Sequence, residues 1–261
     1  MTDSTLLQLD VSEGIATLTL NRPQSRNSLS LAMLEALDAQ LAEIAQNPAI
    51  RVVILAGAGP AFCAGHDLKE IQTEQFACRY SEALFAVCGK VMQAIVNLPQ
   101  PVIAQVHGIA TAAGVQLVAS ADLAIAADNS RFATPGVNIG LFCSTPMVAL
   151  SRNISHKHAM QMLLTGDLID AQTALRFGLV NELVPVEDLA TRTRALARQI
   201  ASKAPLALEI GKKAFYKQAE LGLADAYAYT QDVMVKNLTT LDAQEGINAF
   251  IEKRHPEWRG E

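Results

Sequence analysis

Three short apolar runs, 51-RVVILAG-57, 102-VIAQV-106 and 122-DLAIAA-127, alternate with stretches of helical period, and this alternation most narrows the fold. Runs of this length, apolar without a gap, read as strands buried on both faces, as in a parallel sheet covered by helices. The helix between the first two is expected from about Tyr80 to Val96 and ends at the breaker 99-PQP-101. A second, over 112–120, separates the last two. Strands and helices in this order imply an α/β architecture.

The flanks fit that core. Leu7, Leu9 and Val11 alternate before 13-EG-14, and Ala16, Leu18 and Leu20 alternate after it, which predicts a hairpin turning at Gly14. After the basic, turn-rich loop 21-NRPQSRN-27, Ser30 is positioned to cap a helix carrying Leu34, Leu37, Leu41 and Ile44, which stops near 47-NP-48. From Glu187 the strand signal vanishes. Helices are expected at about 187–202, 205–220, 223–240 and 243–253, with Pro205 in a first turn. Asp242 and Glu245 are spaced as a capping box for the last of them. The expected organisation is an α/β core over 1–200 and a helical region over 201–261.

Charge and composition exclude several functions. A net charge of −5 argues against a nucleic-acid partner, which requires a basic face. No apolar run is long enough for a membrane span, and the first ten residues lack the basic and apolar segments of a signal peptide. Cys63, Cys78, Cys88 and Cys143 form no CxxC pair and have no His at metal spacing. They read as free thiols in a reducing, cytoplasmic compartment, with no metal site.

Two small-residue clusters carry the chemistry. In 57-GAGPAFCAGHDLKEI-71, Gly57, Gly59 and Gly65 follow a strand, but the third glycine is too late for a dinucleotide fingerprint and no P-loop Lys-Ser/Thr follows. The second cluster, 110-ATAAG-114, opens a helix, with Thr111 as its expected N-cap. First-turn N–H groups lack helical acceptors. Two such clusters can each aim one N–H at a single oxygen, which is an oxyanion hole for a developing enolate or alkoxide. Taken from spacing alone, close-packed glycine turns explain them better.

The stretches 20-LNRPQSRNSLS-30, 61-AFCAGHDLKEI-71, 101-PVIAQVHGIATAAGVQLVASADLAIAAD-128, 165-TGDLIDAQTALRFGLVNELVP-185 and 244-QEGINAFIEKRHPEW-258 resemble the enoyl-CoA hydratase/isomerase (crotonase) superfamily. The likeness runs in order along nearly the whole chain and is greatest to the family's enoyl-CoA hydratase domain-containing branch. It implies a crotonase-like ββα spiral core, a C-terminal helical trimerisation region, and assembly as trimers or hexamers. It implies an acyl-CoA thioester as substrate, with coenzyme A as part of that substrate and no separate cofactor. The backbone N–H groups of His66 and Ala113 would bind the thioester oxygen.

The resemblance also exposes a departure. The two glutamates that hold water in family hydratases fall here at Gln116 and Gly136. Glutamine cannot take a proton at neutral pH, and glycine offers nothing. A positioned acid or base is worth about 10²–10⁴ in rate, so weak hydratase activity is expected. The His66 imidazole is a substitute candidate, Asp67 is expected to cap 68-LKEI-71, and Cys143 and Ser144 lack a base to activate them. Gly136 is expected to leave space for a bulkier or carboxylated acyl group. For the substrate, the likeness assigns Arg22 and Arg26 to the nucleotide end, and Ala64, His66, Asp67 and Leu68 to the thioester and pantetheine arm. Gly114 and Phe142 join the substrate-binding set, Asn138 either lines the site or holds a turn, and Phe250 and Lys253 stand on the last helix near a neighbour's CoA. Drawn as a hydrolase triad, Ser120, Asp122 and His107 have no supporting spacing.

Overall fold

The computed structural model describes residues 6–261. Glu13 and Gly14, with φ of 55° and 72°, reverse the chain between β1 (Leu7–Ser12) and β2 (Ile15–Leu20). Two residues with positive φ suit the twist of a tight hairpin. The expected hairpin therefore forms, with Leu9 facing Leu18 across the antiparallel pair. From β2 the sheet continues in parallel through β3 (Val52–Gly57), β4 (Val102–Val106), β6 (Leu123–Ala127) and β9 (Glu182–Val184).

Both faces of the central strands are buried, which explains their unbroken apolar runs. Val53 and Leu55 point into the main core with α1 (Leu31–Ala45), α3 (Cys78–Asn97) and α4 (Ala113–Ser120). Val52, Ile54 and Ile103 point the other way, onto Ala197 of α8 (Leu189–Ala201). Ser30 caps α1 as expected, its hydroxyl accepting from Met33 N at 3.1 Å. Every residue of α4 is buried, so its Ala, Gly and Val content is a packing requirement.

A second sheet was not foreseen. Its strands β5 (Ile109–Thr111), β7 (Arg131–Ala133) and β8 (Ile169–Asp170) are two or three residues long. Helices α2 (Leu68–Thr73), α5 (Ser144–Asn153), α6 (His156–Thr165) and α7 (Ala171–Phe177) complete this half. The chain ends in α9 (Pro205–Gln218), α10 (Leu223–Leu238) and α11 (Leu241–Glu252).

The capping box expected at Asp242 and Glu245 does not form. Thr240 caps α11 instead, accepting from Ala243 N at 3.1 Å. The buried Asp242 carboxylate accepts from Arg259 N at 2.7 Å and Gly260 N at 3.0 Å, pinning the C-terminal tail. Glu245 pairs with Arg254 and accepts from Glu257 N at 2.9 Å. Among the described residues no helix is long and apolar enough to cross a membrane.

Candidate active site

β5 is the scaffold of the site. It pairs with β7 on one side and is laced to the 62–64 loop on the other. Cys63 N donates to Ile109 O at 3.1 Å, and Thr111 N donates to Cys63 O at 3.0 Å. At Ala112 the chain turns with φ 49° and ψ −115°, a conformation costing an L-residue about 1–3 kcal/mol, and α4 starts at the next residue. Two glycines permit the close approach. A Cβ on Gly114 would lie 2.1 Å from Cys63 O, and one on Gly65, whose φ is 89°, would lie 3.0 Å from Thr111 O.

That same Gly65 Cβ position is 3.5 Å from Ala113 N, so the chain entering His66 lies against the N-terminus of α4. Neighbouring backbone groups are spent: Leu29 N donates to Gly65 O, Asp67 N to Leu29 O, and Ala112 N to Ala133 O. The N–H groups of His66 and Ala113 have no acceptor among the described residues. Thr111 does not cap α4, contrary to expectation. Its hydroxyl instead donates to Ala64 O of the site loop at 3.0 Å, which leaves the first-turn N–H groups open.

Gln116 stands one turn beyond Ala113 on α4 and is 4% exposed. Its Oε1 accepts from the Cys88 thiol at 3.9 Å. The His66 ring lies edge-on to Phe85, with centroids 5.1 Å apart, and its Nε2 is buried without a partner. Burial holds this imidazole down at about pKa 4, so it is neutral at physiological pH. Asp67 caps α2 as expected, accepting from Lys69 N and Glu70 N. Burial pushes its carboxyl up, but the bonds from Arg22, Glu70 N and Ser28 outweigh that and hold it below its usual value. Asp67 is therefore a committed structural anion, and so is its partner: Arg22 is held by Asp67 and by Ser28 O, both at 3.0 Å.

The space expected beside Gly136 is absent. A Cβ there would lie 2.8 Å from Leu141 O and 3.0 Å from Cys143 Sγ, because the 140–143 loop folds back onto it through Leu141 N donating to Gly136 O. Burial pushes the Cys143 thiol up, which argues against a thiolate nucleophile. Ser144 donates to Phe142 O, and Phe142 itself is 41% exposed. Asn138 holds a turn, its amide donating to Gly166 O at 3.4 Å.

At the proposed CoA end, Ala64 has both backbone groups engaged, Arg26 is exposed on a left-handed residue, and Leu68 is 53% exposed at the start of α2. Phe250 and Lys253 do not join the cluster; they stand at the end of α11, which packs on α9 and α10. Ser120, Asp122 and His107 form no hydrolase triad. His107 bonds Gly59 O, while Asp122 is taken by Lys212 at 2.7 Å and Tyr216 at 2.9 Å. Three residues that shape the site were missed. Asn27 is fully buried and donates to Ala58 O and Ala61 O, fixing the glycine turn, while Phe85 and Cys88 form the wall behind His66 and Gln116. Their partners are distant in sequence, and no local spacing signals them.

Two strand-borne turns meeting at a helix N-terminus, in this strand order, define a crotonase-type fold. The family profile described as Enoyl-CoA hydratase/isomerase matches residues 10–261, and the chain belongs to that family. It is similar to the human (Homo sapiens) protein "Enoyl-CoA hydratase domain-containing protein 3, mitochondrial", at 49% identity over 249 residues, 95% of this chain and 82% of that protein. The crystal structure of that human protein matches with a TM-score of 0.94 at 48% identity, covering 97% of this chain and 100% of that one. A crystal structure of an enoyl-CoA hydratase from Mycobacterium smegmatis also gives 0.94, at 51% identity over 97% and 98% of the two chains.

Proposed function

We propose that this protein is an acyl-CoA enzyme in which the His66 and Ala113 N–H groups form an oxyanion hole for a thioester enolate. The observation that carries this reading is the pair of open amides, adjacent across Gly65 and left without acceptors. A preorganised donor of this kind is worth roughly 3–4 kcal/mol to a developing oxyanion.

Hydration of a double bond also needs a group to take and return a proton. Gln116 and Gly136 occupy the positions where the family likeness would put acids, and the His66 imidazole is too weak a base at about pKa 4. Hydratase turnover is therefore slow in this reading. Loss of carbon dioxide from a malonyl-type thioester suits the site better. The C2–C3 bond breaks, its electron pair forms the enolate held by the two amides, carbon dioxide leaves, and water then protonates C2. No protein base is required.

Arg26 fits the nucleotide end better than Arg22, whose guanidinium is already paired. The helical region 201–261, with Phe250 and Lys253, would mediate assembly as trimers or hexamers. Unpaired Cys63, Cys78, Cys88 and Cys143 suit a reducing compartment such as the cytoplasm.

A panel of crotonyl-, malonyl- and butyryl-CoA tests the reading. The expectation is binding of all three, slow hydration of crotonyl-CoA and release of carbon dioxide from malonyl-CoA. Binding without turnover on any ester would instead favour a non-catalytic acyl-CoA binder. Gln116→Glu should raise crotonyl-CoA hydration by about tenfold or more. Gly136→Glu is a poor companion, since its side chain would collide with Leu141 O.

A further inference from the structure

Gln116 has two functional ends, and the fold treats them differently. Its Oε1 is turned to the Cys88 thiol of α3, at 3.9 Å. Its amide nitrogen, which carries two N–H donors, has no acceptor among the described residues, although the residue is only 4% exposed. Unlike His66 Nε2, this nitrogen is not sealed from solvent. Buried amides are normally satisfied, so an unspent donor on a residue this buried points to something that is to be bound.

The placement says what. Gln116 follows Ala113 by three residues on α4, so both stand on one helix face, and helical side chains lean back toward the N-terminus. Gln116 thus stands on the same face of α4 as the open Ala113 N–H. On α3, Phe85 and Cys88 are also three apart: the first meets the His66 ring and the second meets Gln116. One wall therefore fixes both residues. Nearby carboxylates cannot serve as the missing acceptor. Asp67 is engaged by Arg22, Ser28 and the α2 N-terminus, and Glu70 accepts from Leu31 N. No Asp or Glu lies between Asp128 and Asp167.

We propose that Gln116 is a specificity-determining donor that binds an oxygen on C3 of the acyl group, so that the site selects 3-oxoacyl- or malonyl-type CoA thioesters over simple saturated ones. This rests on the oxyanion reading above and extends it from the thioester oxygen to the next polar atom of the substrate. Cys88 acts through Gln116 as a positioning residue, occupying the amide oxygen and so presenting the nitrogen. A glutamate at this position would present acceptors where the substrate brings acceptors of its own.

Equilibrium binding of acetoacetyl-, malonyl- and butyryl-CoA to the full chain tests the assignment. At least one of the first two is expected to bind about tenfold tighter than butyryl-CoA, the gain of one well-made hydrogen bond. Which one it is distinguishes a 3-oxo group from a 3-carboxylate. Gln116→Leu should reduce that ratio to within about threefold. Gln116→Met serves the same purpose should the leucine variant fold poorly. Equal affinity of the wild-type protein for all three esters would overturn the proposal, and would mean that the amide holds only water. A preference that survives both substitutions would overturn it too. Failure to bind any of the esters would take the oxyanion reading down with it.

Discussion

Gly114 and Gly211 make opposite demands on the same substitution. A Cβ on Gly114 would sit 2.1 Å from a backbone oxygen of the site loop, whereas one on Gly211, inside α9, meets nothing within 4 Å. Gly114→Ala should cost about 3 kcal/mol or more, or prevent folding, while Gly211→Ala should stabilise by roughly 0.5–1 kcal/mol through helix propensity. Paired denaturant titrations read both signs. His66 supplies a pH dependence. Its imidazole titrates at about 4 when folded against 6.5 in an ordinary environment, so between those values the unfolded chain binds more protons. The neutral, buried ring thus contributes stability fully above pH 6.5 and loses it as pH falls through 4. His66→Phe should lose less stability between pH 7 and pH 5 than the wild type, and equal losses would contradict the assignment. Single caps were readable where both partners are local, as at Ser30 and Asp67. Thr111 was misread because its best acceptor, Ala64 O, is far away in sequence. The packing at Gly136 was equally hidden: nothing in the sequence indicates that the 140–143 loop fills the place of its side chain.

At the scale of elements, the buried ion pair between Lys212 and Asp122 ties α9 to the start of β6. Lys212 Nζ also donates to Ile95 O and Gln100 O, both at 3.0 Å. Burial lowers the lysine's pKa, and the Asp122 carboxylate partly offsets that. Lys212→Met leaves a poorly solvated carboxylate and should destabilise the protein by about 3–5 kcal/mol. Thr240→Ala, which removes one cap, should cost only about 1 kcal/mol. Thermal unfolding of the two variants checks the order. The long elements were legible because burial over at least five residues leaves a pattern: a period on one buried face in β2, α1 and α3, and an unbroken apolar run in β3, β4 and β6, which are buried on both. The second sheet was not, since strands of two or three residues are too short to show one. Yet β5 and β7 form the floor on which the two turns meet. The part of the fold that builds the site was thus the part least visible in the sequence.

The whole molecule exposes large apolar side chains on its helical tail: Phe250 at 84%, Leu223 at 78% and Tyr227 at 72%. Large apolar side chains left this exposed on one helical region are expected to be covered by association. In analytical ultracentrifugation the 27.9 kDa chain should sediment as a trimer or hexamer, and a monomer at micromolar concentration would contradict the assignment of residues 201–261. Substrate preference and the proposed enolate chemistry depend on a more basic claim, that the amides of His66 and Ala113 grip one thioester oxygen. Isotope-edited vibrational spectroscopy of butyryl-CoA carrying ¹³C at C1 measures that grip directly. At saturation the bound carbonyl stretch should fall below its value in water, because two preorganised N–H groups polarise the bond more than solvent does. A bound carbonyl whose stretch stays at or above the aqueous value would contradict the account.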